Sequence, residues 1–167
     1  MTQELAHQLF KYENGLLIWK RDNKVAGHLD KSNGYIRIRY KEGFYYSHRL
    51  IYLMHYGYIP KYIDHKDGCR TNNLINNLRE CTQQQNMFNS KVSKNNKLGY
   101  KGVSLHKQSN LYRAVYKYNG KQKLIGYFKS LQDAVIAYNK AIKNVHKEFY
   151  KSNQITNGTE LNETELR

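Results

Sequence analysis

At the centre of this sequence stands Ile63-Asp64-His65-Lys66-Asp67-Gly68, in which an acid and an imidazole end a short apolar and aromatic run. Asn77 follows His65 by 12 positions and Asn86 follows it by 21. Carboxylate and amide oxygens, as in Asp64 and Asn86, suit a hard divalent cation. A neutral imidazole accepts a proton from water near pH 7, and Asn77 is placed to hold that ring in one tautomer. These residue types favour hydrolysis of a phosphodiester, in which a metal offsets charge on the leaving oxygen.

The elements around this motif follow from local signals. The motif ends one strand, a loop rich in glycine and asparagine follows it, and a second strand is predicted near Leu78-Cys81. A short helix then carries Asn86, and Thr82 with Gln85 three residues later gives that helix a capping-box start. The order of strand, loop, strand and helix resembles the ββα-metal core of the HNH endonucleases, in the branch found in phage and intron homing nucleases.

This resemblance covers residues 15 to 90 and implies roles for the motif residues. By similarity, Asp64 and Asn86 are expected to be metal ligands, His65 the general base and Asn77 its orienting partner. Mg²⁺ is the expected cation, with Mn²⁺ as the alternative. The expected products carry a 5′-phosphate and a 3′-hydroxyl.

The charge of the chain indicates its class of partner. Lys and Arg number 28 against 13 Asp and Glu, a net charge of +15. This excess favours a polyanion, here double-stranded DNA. We expect no signal peptide and no membrane span, hence an intracellular location, in the cytoplasm of a bacterial host if the protein is phage-encoded. The protein is expected to be a monomer. Cys69 and Cys81 lack the C-x-x-C spacing of a zinc site and are expected to be reduced and structural.

Helix and strand patterns alternate before the motif. The predicted elements are a weak helix and turn over 1–14, strands over 15–21 and 34–40, a return strand from Phe44 and a helix over 47–56. Arg37 and Arg39 alternate with apolar residues, which is typical of a half-buried strand, and face either phosphate or solvent. Ser47 is the N-cap candidate of the helix and Gly57 ends it. His48 precedes the Asp-His strand in the nuclease branch too, and a structural packing role is expected for it.

A second unit is predicted after a polar, lysine-bearing stretch. The predicted elements are strands over 102–106, 112–118 and 121–128 and a helix from Leu131. Asn119-Gly120 predicts a type I′ hairpin between the second and third strands, and Ser130 is expected to cap the helix. The apolar residues of the helix recur at three- and four-residue spacing, which predicts one buried stripe.

This second unit resembles the ethylene-response-factor (APETALA-type) DNA-binding domain. The resemblance rests on Lys101-Gly102-Val103, Tyr112-Arg113-Ala114 and Gly126-Tyr127-Phe128. In that family the sheet face opposite the helix enters the major groove. Because this unit lacks the Trp residues of the plant pattern, no base preference is carried over. The resulting DNA-binding set is Lys101, Ser104, His106, Arg113, Lys117, Lys121 and Gln122. The alternative is a small sheet for RNA or protein contact.

Together these patterns predict an α+β protein, a ββα-metal core followed by a three-stranded antiparallel sheet packed on one helix. The predicted divisions are a nuclease domain with N-terminal strands over 1–90, a basic linker over 91–99, the DNA-binding domain over 100–153 and a disordered tail over 154–167. The predicted function is that of a site-specific HNH homing endonuclease, phage- or intron-encoded, using one divalent metal. The alternatives are a non-catalytic DNA-binding regulator, which the intact motif speaks against, and an RNA-binding or RNA-cleaving protein.

Overall fold

The chain forms two compact units, Met1–Asn86 and Met87–Arg167. The computed structural model describes residues 1–89, 92, 96–146 and 149. The tail predicted over 154–167, and residues 91 and 93–95 of the predicted linker, lie outside the described residues. Within the described part of the chain, no helix is long and apolar enough to cross a membrane.

The first unit begins with a helix that leads into a β-hairpin. These elements are α1 (Gln3–Leu9), β1 (Phe10–Glu13) and β2 (Leu16–Trp19). The prediction of a helix and turn over 1–14 is therefore wrong over Phe10–Glu13, which form a strand, whereas the turn at Asn14 is present. Asn14 and Gly15 both adopt positive φ, 47° and 83°, and such a pair closes a two-residue hairpin whose twist matches that of its strands.

A three-stranded antiparallel sheet and a helix complete the core of this unit. They are β3 (His28–Asp30), β4 (Tyr35–Tyr40), β5 (Gly43–Tyr46) and α2 (Ser47–Tyr56), with the strands in the order β3-β4-β5. Ile38 on β4 and Leu50 and Ile51 on α2 are fully buried and belong to one apolar cluster. The helix ends at Gly57 in the left-handed region, as predicted. Ser47 is not the N-cap: strand β5 runs directly into the helix, so Tyr46 holds that position without a side-chain cap.

The motif itself folds as two strands and a helix. They are β6 (Ile63–His65), a 3-10 turn (Ile75–Asn77), β7 (Leu78–Glu80) and α3 (Gln83–Asn89). Strands β6 and β7 pair antiparallel, with His65 opposite Leu78. The capping box is confirmed, because the Thr82 N–H donates to Gln85 Oε1 at 2.7 Å and the Gln85 N–H donates to Thr82 Oγ1 at 3.2 Å. The predicted ββα order is thus present.

The second unit is a three-stranded antiparallel sheet covered by one helix. Its elements are β8 (Val103–His106), β9 (Leu111–Tyr118), β10 (Lys121–Phe128) and α4 (Leu131–His146), with the strands in the order β10-β9-β8. Tyr112, Ala114 and Tyr116 belong to the cluster that packs against the helix. Ser130 Oγ accepts the Asp133 N–H at 3.0 Å and caps α4. The predicted α+β class and the sheet-on-helix arrangement are confirmed.

Candidate active site

The imidazole of His65 lies at the end of β6 and is buried, with only 4% of the residue exposed. Its Nε2–H donates to the side-chain oxygen of Asn73 at 2.9 Å. Asn73 is itself buried, at 3% exposure. Two polar side chains are therefore held together inside the unit, at a position where an unpaired polar group would be costly.

The hydrogen bonds of Asn77, the orienting partner predicted for this imidazole, go to the loop that follows β6, and its orienting role stays a prediction. The Asn77 side-chain amide donates to Asp67 Oδ1 at 3.0 Å and to the carbonyl oxygen of Asn72 at 2.8 Å. Its side-chain oxygen accepts the Asp67 N–H at 3.2 Å. Asn77 ends the 3-10 turn, and these three hydrogen bonds close the loop between β6 and β7.

Asn73 is the residue that the sequence did not assign to the site. The asparagine pair at 72–73 was visible, but both members lie in a loop of turn-forming residues where spacing does not tell which side chain points inward. In the structure the two side chains have different partners. Asn72 donates to Asp67 Oδ2 at 2.7 Å, whereas Asn73 reaches His65.

The carboxylate of Asp64 forms a buried ion pair. Its Oδ2 accepts from both Nε and Nη2 of Arg79, each at 2.8 Å, across the β6-β7 pair. The side chains are 4% and 12% exposed. Removing one partner of such a pair leaves a buried charge and costs about 3–5 kcal/mol. Arg79 therefore fixes the Asp64 carboxylate beside the catalytic candidate His65.

Asn86 lies on α3, where it is half-buried and its N–H donates to the Thr82 carbonyl at 3.0 Å. Asp64 and Asn86 thus stand on a strand and on the helix of the ββα motif, and their metal-ligand roles remain predictions. Among the residues that the structure describes, no group of three His, Cys, Asp or Glu side chains could hold a metal ion. A site here would rest on Asp64 and the amide oxygen of Asn86.

Aromatic rings form one wall of the site. The ring of His48 lies 5.2 Å from that of His65, in an edge-to-face arrangement, and 4.8 Å from that of Tyr35. Tyr46 stacks on His48 at 5.8 Å. His48 is 6% exposed, and its Nδ1 is buried without a hydrogen-bond partner among the described residues. The packing contacts expected of His48 are present in this wall.

Burial sets the ionisation of both imidazoles. It lowers the pKa of His48 to about 3, and the nearby His65 adds to this effect. Burial also lowers the pKa of His65 below its ordinary value, although the hydrogen bond to Asn73 and the carboxylate of Asp67 oppose the shift. Both rings are therefore neutral at pH 7, and a neutral ring is the form that accepts a proton.

The loop between β6 and β7 is also attached to the β3-β4 turn. Arg70 Nη1 donates to the carbonyl oxygen of Asn33 at 2.6 Å. The guanidinium of Arg70 lies 5.0 Å from the ring centre of Tyr35, within the range of a cation–π contact. Asn33 in turn donates to the Tyr46 hydroxyl at 3.0 Å. The loop and the aromatic wall are thereby joined.

In the second unit, the strand register gathers most of the predicted DNA-binding residues on one face. Arg113 lies opposite Ser104 on β8 and opposite Tyr127 on β10. Lys117 lies opposite Gln122. Because side chains alternate along a strand, these residues point away from the helix that Ala114 packs against.

The remaining predicted DNA-binding residues are His106, Lys101 and Lys121. The Nδ1 of His106 is 2.9 Å from Ser109 Oγ, and its ring lies edge-on to Tyr127. Lys101 Nζ donates to the carbonyl oxygen of Phe88 at 2.7 Å. Lys121 lies opposite Tyr118 at the hairpin end, one position out of phase with Gln122, so it points to the other face. A role in binding DNA remains a prediction for each of them.

Comparison with known proteins places this site in a family. Residues 45–88 match the family model described as HNH endonuclease. The chain is 36% identical over 140 residues to uncharacterized HNH endonuclease L560 of Acanthamoeba polyphaga mimivirus, an alignment that covers 82% of this chain and 71% of the relative. This chain belongs to the HNH endonuclease family. The HNH resemblance read from the sequence is confirmed, whereas the ethylene-response-factor resemblance stays a prediction.

Two further matches accompany this HNH endonuclease. Protein 3.8 of Escherichia phage T7 is 41% identical over 68 residues, which cover 40% of this chain and 56% of that protein. The solved structure described as DNA binding and cleavage by the HNH homing endonuclease I-HmuI aligns over 80% of this chain and 82% of its own, with 25% identity and a TM-score of 0.40.

Proposed function

We propose that this HNH endonuclease hydrolyses phosphodiester bonds of double-stranded DNA, with His65 as the general base. The observation that carries the proposal is a buried, neutral imidazole next to Asp64 at the end of β6, in the ββα motif of a family member. Its role is to take a proton from the attacking water. The lowered pKa keeps the ring able to accept that proton at neutral pH.

Asp64 and Asn86 are proposed to hold one divalent cation, Mg²⁺ first and Mn²⁺ second. Their donor atoms fit, because hard cations take carboxylate and amide oxygens and Mg²⁺ keeps several waters beside one or two protein ligands. Arg79 already shares the Oδ2 atom of Asp64, which holds the carboxylate in a fixed orientation. When bound, the cation would stabilise charge on the leaving oxygen.

The second unit is proposed to be the ethylene-response-factor-type domain that selects the DNA site. The row formed by Arg113, Ser104 and Tyr127 lies on the sheet face opposite the helix, and the chain carries a net charge of +15. Phosphate contacts give affinity and base-edge contacts give sequence preference. The proposed type is a monomeric homing endonuclease of phage or intron origin, which is supported by the viral source of both matched relatives.

A plasmid-nicking assay tests the proposal. Supercoiled DNA should be nicked or cut when Mg²⁺ is present and left intact when EDTA is added. His65→Ala should lower the cleavage rate about 100- to 10,000-fold, which is the usual contribution of a general base, and should leave DNA binding nearly unchanged. His28→Ala is the matched control, because His28 is an exposed histidine of the same unit.

Further variants and substrates separate the alternatives. Asn86→Ala should raise the Mg²⁺ concentration needed for half-maximal cleavage, and Asn76→Ala, an exposed asparagine of the preceding turn, should not. A chain that binds the plasmid but never cuts it would be a DNA-binding regulator. Cleavage of RNA of the same sequence in preference to DNA would overturn the assignment of substrate.

A further inference from the structure

We propose that Asn73 is the positioning residue that fixes the tautomer of His65, so that Nδ1 is the nitrogen that accepts the proton from water. The inference rests on the proposed role of His65 and adds the atom that acts and the residue that selects it. Asn73 Oδ1 lies 2.9 Å from His65 Nε2, and both residues are at least nine-tenths buried.

The chemistry of this bond determines where the proton of the ring resides. An amide oxygen only accepts hydrogen bonds, and a neutral imidazole carries its proton on one nitrogen and a lone pair on the other. The bond to Asn73 therefore requires the proton on Nε2 and leaves the lone pair on Nδ1. A histidine acts as a base through the nitrogen that its other hydrogen bond leaves unprotonated.

The backbone around Asn73 is held by the N-terminal hairpin. A side chain added at Gly15 would meet the backbone N of Leu74 at 3.0 Å and the carbonyl carbon of Asn73 at 3.2 Å. The hydroxyl of Tyr12 accepts the N–H of Ile75 at 3.0 Å. The β1-β2 hairpin thus packs directly behind the residues that present Asn73 to the ring.

Asn77 stabilises the loop that carries Asn73. Through Asp67 and the Asn72 carbonyl it closes the loop from which Asn73 extends. Burial raises the pKa of Asp67, but hydrogen bonds from the Cys69 N–H, Asn72 and Asn77 together outweigh it and lower the pKa, so the loop is held by an ionised carboxylate. The orientation predicted for Asn77 then reaches His65 through Asn73.

An asparagine at this position also leaves the ring without a negative charge beside it. A carboxylate would accept the same hydrogen bond but would stabilise the protonated ring as well. Asn73→Asp therefore retains orientation and adds charge, whereas Asn73→Ala removes orientation and adds none. The two variants separate the positioning role from a purely structural one, and the exposed Asn76→Ala serves as the matched control.

The test combines nitrogen NMR with cleavage kinetics on the full chain. With ¹⁵N-labelled histidine, His65 should show a protonated Nε2 and an unprotonated Nδ1 in the natural protein, in Asn76→Ala and, at high pH, in Asn73→Asp. Asn73→Ala should show both tautomers. The kcat of Asn73→Ala on plasmid DNA should fall about 10- to 100-fold, the range found for groups that orient metal-binding histidines, while KM stays within about twofold. Asn73→Asp should keep the tautomer of the natural protein, because a carboxylate accepts the same hydrogen bond from Nε2–H.

Two results would overturn the proposal. The first is a natural protein whose His65 carries its proton on Nδ1. The second is an Asn73→Ala variant that folds and whose His65 shows the same single tautomer as the natural protein. If the natural chain does not cut nucleic acid at all, the proposed function fails, and the NMR measurement still decides the assignment of Asn73.

Discussion

At the scale of single residues, the imidazole of His48 couples the stability of the first unit to pH. In the folded chain burial lowers its pKa to about 3, whereas an unfolded histidine titrates near about 6.5. Between these values the unfolded chain binds one more proton than the folded chain. The contribution of His48 to the free energy of unfolding is therefore fully present above pH 6.5 and is lost as the pH falls toward 3.

We predict that His48→Phe removes most of this acid sensitivity. For the natural chain, the free energy of unfolding should fall by about 1.4 kcal/mol for each pH unit below about 6.5 because of this residue. Phenylalanine keeps an aromatic ring between Tyr35 and His65 and carries no buried nitrogen that lacks a partner. Urea unfolding at pH 5 and pH 7, followed through the single Trp19 in the core of the first unit, measures the difference.

The control for this prediction is His28→Phe. His28 is exposed on β3, so its replacement should leave the pH dependence of unfolding unchanged. If His48→Phe and the natural chain lose the same stability between pH 7 and pH 5, burial of His48 is not the cause of the acid sensitivity.

At the scale of elements, two hairpins use the same turn for different purposes. Asn14 and Gly15 have φ of 47° and 83°, and Asn119 and Gly120 have φ of 48° and 76°. Gly15 packs against the backbone of residues 73–74, whereas a side chain at Gly120 would meet nothing within 4 Å. The first turn therefore supports the active-site loop, and the second extends into solvent.

The two glycines provide a matched pair of variants. Gly120→Ala should lower the free energy of unfolding by roughly 1–2 kcal/mol, which is the cost of placing an L-residue in the left-handed region. Gly15→Ala should lower it by about 1–3 kcal/mol more, because the added methyl group is forced against a well-packed backbone. It should also lower the cleavage rate, since it displaces Asn73. Urea unfolding of both variants, with plasmid nicking at saturating DNA, would contradict this account if the two behaved alike.

The same elements show how far local sequence signals reach. Capping at Thr82 and Ser130 and the hairpin at Asn119-Gly120 were predicted, because each depends on residues within four positions of one another. The Asn14-Gly15 hairpin carried the same signal and was missed, because residues 1–14 were predicted as a weak helix and turn and no strand was predicted before Gly15. Ser47 has the chemistry of a cap, but the tertiary course of the chain, with strand β5 running directly into α2, gives that position to Tyr46.

The positions of the candidate site residues were predictable where these residues lie on strands and helices, and not where they lie in the loop. Asp64 and His65 on a strand and Asn86 on a capped helix follow from motif spacing. The choice between Asn73 and Asn77 as the partner of His65 does not. It depends on the 3-10 turn at 75–77, on the Asp67 hydrogen bonds and on a contact with Gly15, which is more than 50 residues away in the chain.

At the scale of the whole molecule, our proposal assigns cleavage to one unit and DNA recognition to the other. His65, Asn73 and Asp64 belong to the unit Met1–Asn86, and the row around Arg113 belongs to the unit Met87–Arg167. The proposal predicts that variants in the first unit change the cleavage step, whereas variants in the second change affinity and site choice. The two effects should then be separable in the full chain.

The prediction is that Arg113→Ala changes site preference while the rate of cleavage at saturating DNA stays the same. A bidentate contact from Arg113 to a base edge would make the loss about 1–3 kcal/mol at one base pair. Lys117→Ala should weaken binding to all sequences and lower the salt slope by about one unit, as expected for one phosphate contact. Lys121→Ala should weaken binding less than Lys117→Ala, because the register turns Lys121 to the opposite face of the sheet.

Footprinting and salt titration with the three variants, beside His65→Ala as a binding-competent reference, measure these effects. An unchanged footprint and an unchanged salt slope in both Arg113→Ala and Lys117→Ala would show that this sheet face does not select the DNA site, since the two residues lie on the face that the strand register turns away from α4.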